Sequence, residues 1–115
     1  MAGEEYNLNE FKQVTLNASG NGSAFVSPVA TERWHITRIA VVTNQAVSVT
    51  TVPTCGVYLD SIADANLYDK TYTGSQDSTD ADLWLEKGQQ LHAEWLGGVS
   101  GTIGTLSVFG KRILY

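Results

Sequence analysis

The chain is short of nearly everything that reactive sites are usually built from. Its single cysteine, Cys55, has no partner for an internal disulfide, and without a paired Cys spacing there is no zinc motif. Cys55 stands in an apolar run with Val57 and Leu59, which predicts a buried, inert thiol. Histidine is almost as scarce, with only His35 and His92. There is no serine nucleophile elbow, phosphate loop, dinucleotide fingerprint or His-Glu-x-x-His. His92 with Glu94 is the nearest approach to an acid–base pair. With no third group beside it, the chain reads as non-enzymatic.

Long hydrophobic runs are also missing. None approaches the roughly 18 residues of a membrane-spanning helix. The polar, acidic start Met1-Ala-Gly-Glu-Glu-Tyr-Asn lacks the basic and apolar regions of a secretory signal. Synthesis and folding in a reducing cytoplasm are therefore expected. Asn17-Ala-Ser19 and Asn21-Gly-Ser23 match the glycosylation acceptor pattern, but without a signal they read as turn chemistry.

Basic residues are few, 7 against 12 acidic ones. The excess sits in one place: residues 60–94 carry a balance of −6 and the remainder +1. Such a middle repels phosphate backbones and anionic lipid, so neither nucleic acid nor membrane is expected as a partner. Asp77, Asp80 and Asp82 fall in the polar stretch Gly74–Ala81 and just beyond it. That stretch reads as a loop, and calcium favours carboxylates on loops, but the EF-hand spacing is absent. A solvated acidic loop is the favoured reading, calcium there the weaker alternative, and no cofactor is expected.

What the chain does have is alternation. Leu83 and Leu85, then Leu91, Ala93 and Trp95, repeat every second residue around Gly88, the pattern of strands with one buried face. The simplest reading of Asp82–Trp95 is two antiparallel strands joined as a hairpin. Further strands are predicted over Phe11–Leu16, Ala24–Pro28, Trp34–Thr43, Ala46–Val52, Thr54–Asp60, Leu67–Thr73 and Thr102–Tyr115, with one helical turn within Ser61–Leu67. The register of Trp34–Thr43 shifts between Ile36 and Ile39, which fits a bulge or a strand covered on both faces.

At 115 residues one domain is expected. The fold class predicted is all-β, a single-domain antiparallel β-sandwich or jelly roll of about eight strands. Residues 1–10, with only Tyr6 and Leu8 as large apolar groups, read as an extended N-terminal arm, and residues 11–115 as the sandwich. Trp95 follows the inward alternation, whereas Trp84 alternates outward and reads as an interface anchor.

Certain residues carry a family resemblance. Leu83-x-Leu85-x-x-Gly88-x-x-Leu91-x-Ala93-x-Trp95, then Gly97-Gly98 and Gly104-x-Leu106-x-Val108-x-Gly110, together with Trp34–Ile36, Pro53–Leu59 and Thr73–Ser75, resemble small β-sandwich, jelly-roll-like virion proteins of tailed bacteriophages. The similarity covers most of residues 30–112. It implies a non-enzymatic structural subunit located in the virion: a capsid decoration protein bound to the major capsid protein lattice, or else a minor tail or fibre component. It also implies a homo-oligomer, with a trimer favoured and the arm or closing strand at the seam. The contact residues expected on this reading are Tyr6, Leu8, Phe11, Trp84 and Tyr115. A carbohydrate-binding module acting in host adsorption, with Trp84 and the tyrosines stacking on sugar rings, is the alternative from another class.

Overall fold

The computed structural model of the chain describes residues 5–46 and 48–114. Eight strands form: β1 (Glu5–Thr15), β2 (Gly22–Val26), β3 (Glu32–Thr43), β4 (Thr54–Leu59), β5 (Leu67–Thr73), β6 (Gln76–Leu85), β7 (Leu91–Leu96) and β8 (Ile103–Leu114). A 3-10 turn at Asp64–Asn66 lies between β4 and β5, inside the segment expected to make one helical turn. The strands build two four-stranded antiparallel sheets packed as a sandwich. The first has the order β1-β8-β3-β6 and the second β2-β7-β4-β5.

Alternation explains the core. Ile39 and Val41 of β3, Leu85 of β6 and Leu106 and Val108 of β8 turn inward from the first sheet. Val57 of β4 and Leu91, Ala93 and Trp95 of β7 meet them from the second. Trp95 is fully buried; its indole N–H donates to the Gly74 carbonyl at 3.0 Å. Gly104 makes room for its ring, since a Cβ there would stand 3.0 Å from it. Removing such an indole costs on the order of 3–5 kcal/mol.

The register shift in the longest strand is a bulge. β3 slips between Ile36 and Arg38 relative to both β6 and β8. Gly110 of β8 sits opposite Ile36, and a Cβ there would run into the His35 carbonyl oxygen and lie 3.0 Å from the Thr37 nitrogen. The extra residue thus brings one backbone onto another, which only glycine permits.

Four expectations are corrected. Residues 5–10 are not an arm: they pair with β8, from Glu5↔Ile113 to Glu10↔Val108, while residues 1–4 of the expected arm lie outside the described residues. The boundary expected after residue 10 falls inside β1. Leu8 stands opposite Gly110 and is 2% exposed, taking the core position that glycine leaves unfilled.

The Asp82–Trp95 stretch is not a hydrogen-bonded hairpin. β6 pairs with β3 in the first sheet, and β7 with β2 and β4 in the second. The turn at Gly88 (φ +83°) is an arch from one sheet to the other, closed by Glu86 and Gln89. Leu85 and Leu91, both fully buried, enter the core from opposite sheets. The polar stretch expected as a loop over Gly74–Ala81 is mostly β6, and its acidic residues extend a strand.

Ala46–Val52 is not a strand among its described residues; Val47 lies outside them. This segment carries the chain from β3 to β4, that is, from one sheet to the other. It folds locally, Val49 N–H donating to Ala46 at 3.0 Å and the Gln45 side-chain amide to the Thr51 carbonyl at 2.8 Å.

The turn reading of Asn17 and Asn21 holds: the Asn17 side-chain oxygen accepts from the Ser19 and Asn21 amides at 2.9 and 3.1 Å, as an Asx turn does. For the bulge, Gly110→Ala is expected to lower unfolding free energy by about 2–3 kcal/mol, read by urea denaturation with an unchanged m-value. An effect below a few tenths would mean that the close approach at His35 is relieved without cost.

Candidate interaction surface

The outer face of the first sheet carries a cluster of exposed functional groups. β6 alternates Ser78, Asp80, Asp82 and Trp84 outward, and β3 sets Arg33, His35 and Arg38 beside them. The register decides the pairs. Arg38 stands opposite Asp80, and its guanidinium donates to Asp80 at 2.9 Å and to the Ser78 hydroxyl at 2.6 Å. His35 stands opposite Trp84; their rings stack with centroids 4.4 Å apart and planes 8° from parallel. The His35 Nε2 lies 2.6 Å from the Asp82 carboxylate. Arg33 places its guanidinium 4.9 Å from the indole centroid and 3.6 Å from Glu86. Trp84 is therefore held by an imidazole and a guanidinium, yet remains 44% exposed. Stacked cations and aromatic rings contribute about 0.5–1 kcal/mol at exposed sites, so the indole is held in place on the sheet face.

The sequence missed this arrangement. It paired His92 with Glu94, whereas the His92 Nε2 faces the Asp60 carbonyl at 3.1 Å and the Gln90 side-chain oxygen at 3.0 Å, and its ring lies 5.1 Å from Phe25. His35–Asp82 is the His–carboxylate pair, and only the β3–β6 register brings it together. It lies on a sheet face beside Trp84, where its geometry fixes the indole.

The remaining expected contact residues separate. Tyr6 and Phe11 are exposed on β1, Phe11 at 58%. Leu8 is core and is withdrawn as a contact. Tyr115 lies outside the described residues. Asp77, Asp80 and Asp82 do not converge as a calcium loop would require. Asp77 accepts from the Thr73 and Ser78 amides, while Asp80 and Asp82 face the other way and engage Arg38 and His35. Among the described residues no group of three or more His, Cys, Asp or Glu side chains gathers to hold a metal.

A second polar cluster closes the corner between β1, β3 and β8. Arg112 lies 3.9 Å from Glu10 and 3.8 Å from Glu32, and the Trp34 indole N–H donates to Glu32 at 3.1 Å. The Arg112 Nε is buried without a hydrogen-bond partner among the described residues.

Cys55 is buried in the core, and burial pushes its thiol from 9.0 up to about 12, the Glu94 carboxylate adding to the rise and a backbone hydrogen bond at Glu94 opposing it. A thiolate needs the opposite environment. No family model and no curated protein matches the chain.

Two measurements check this description. Trp34 and Trp95 are buried whereas Trp84 is exposed, so acrylamide is expected to quench one component of the tryptophan emission, and Trp84→Phe to abolish that component. Because the folded thiol titrates above the unfolded one, the unfolded chain releases the proton first as pH rises. Stability from this group is complete below pH 9 and declines between pH 9 and about 12. Denaturation midpoints of wild type and Cys55→Ala, compared across that range, are expected to fall more steeply for wild type. Parallel curves would contradict a buried thiol.

Proposed function

We propose that the chain is a non-enzymatic jelly-roll subunit of a tailed-bacteriophage virion, bound as a decoration protein to the assembled capsid lattice. The observation that carries this reading is the strand order. The order β1-β8-β3-β6 packed on β2-β7-β4-β5 supports the jelly-roll reading, in which two Greek keys lay eight strands on two sheets. That architecture serves viral capsid and lectin domains. The resemblance of Leu83–Trp95 and Gly104–Gly110 to phage virion proteins points the same way.

A fold hosts many functions, so the side chains must carry the choice among them. Among the exposed large apolar groups, Trp84, braced by His35 and Arg33, and Phe11 of β1 stand on the first sheet. Aromatic anchors flanked by charged residues are the composition of a protein contact.

Co-sedimentation with heads and with tails separated from the phage that encodes the chain tests the proposal. Saturable binding to heads is expected, weakened at least tenfold by Trp84→Ala, a loss of about 1.4 kcal/mol. Binding confined to tails would reassign the subunit to the tail, and binding to neither would remove the virion reading.

A further inference from the structure

We infer that β1 is a self-pairing edge: two copies of the chain join antiparallel along β1, across a two-fold axis at Phe11, into one continuous eight-stranded sheet. The inference is independent of the virion reading and rests on three features of one strand.

The first is that β1 is open. It is zipped to β8 on one side and, among the described residues, has no strand on the other. At eleven residues it is a long edge, of the kind that templates pairing with another chain.

The second is what it exposes. Phe11 is 58% exposed on the outer face. On the opposite face Lys12 makes no ion pair with any described residue.

The third is the sequence itself, Asn7-Leu-Asn-Glu-Phe-Lys-Gln-Val-Thr15, which complements its own reverse. Residues opposite one another in an antiparallel pair share a face of the sheet. With the axis at Phe11, Glu10 of each copy faces Lys12 of the other, Leu8 faces Val14, Asn9 faces Gln13, and the two Phe11 rings meet. Opposite charges, apolar groups and amides are all matched. Moving the axis one residue sets Glu10 against Glu10, or Lys12 against Lys12, and like charges directly opposite are destabilising. Half-residue shifts place core-facing side chains against outward ones. The charges that guard this edge against indiscriminate pairing therefore admit one register, and the occupant it fits is a second copy related by a two-fold axis.

Sedimentation equilibrium of the full chain over a concentration series tests this. Wild type is expected to associate to a dimer. Glu10→Lys and Lys12→Glu each set like charges opposite one another, and each is expected to remain monomeric. An equimolar mixture of the two is expected to restore a dimer containing one copy of each, because every lysine of one variant then faces a carboxylate of the other. Lys12→Glu leaves the Glu10–Arg112 contact intact. Should Glu10→Lys fail to fold by circular dichroism, recovery of the Lys12→Glu dimer at high salt, which screens like charges, replaces the mixing experiment. A wild type that stays monomeric or forms trimers overturns the inference. So do single variants that still dimerise, or a mixture (or salt series) that restores nothing.

Discussion

The first sheet depends on β8 being held between the strand that begins the described chain and the strand at its centre. β8 pairs with β1 along Glu5–Thr15 and with β3 along Glu32–Thr43. Removing it would leave β1 without a hydrogen-bonded strand and β3 paired with β6 alone. These pairings span the longest separations in the sequence, so their loop-closure entropy is met only when the whole sandwich forms. The seam runs through Gly110, where β8 meets the β3 bulge on one side and Leu8 on the other. One residue without a side chain thus sets both the bend of the central strand and the seating of the first.

The two sheets differ in length, and the difference shapes the surfaces. Strands of the first run 10–12 residues and those of the second 5–7. At one corner the inward positions of β1 and β8 become ionic, with Arg112 between Glu10 and Glu32. On the outer face the β3–β6 register gathers Arg33, His35, Asp82 and Trp84 into a braced aromatic group. Both surfaces arise from strand alternation continued past the point where burial demands apolar residues.

Period-two alternation made much of this legible. It located Trp34–Thr43 and Leu67–Thr73 as strands, turned Trp95 inward and Trp84 outward, and buried Cys55. Partnership was not legible, because alternation says which face a residue occupies and nothing about which strand lies beside it. Leu83–Leu85 and Leu91–Trp95 give the same pattern whether Gly88 closes a hairpin or an arch between sheets. His35 and Trp84 are 49 positions apart and meet only through register. β1 escaped for a different reason. Its core-facing positions include Glu10 and Lys12, which an edge strand tolerates beside the open flank of the sandwich and which composition reads as a solvated arm. The alternation of Val47, Val49 and Thr51 misled in the opposite sense, since a segment that crosses between sheets meets no strand to pair with.

The first strand is an integral member of the sandwich, paired with β8 from Glu5 to Thr15. Amide hydrogen exchange followed by NMR at residues 5–15 tests it most directly. The amides of β1 that face β8 are expected to be protected as strongly as their partners on β8, through Leu8 to the beginning of the described chain. Exchange of residues 5–10 at unstructured-chain rates, with protection beginning only at Phe11, would contradict it.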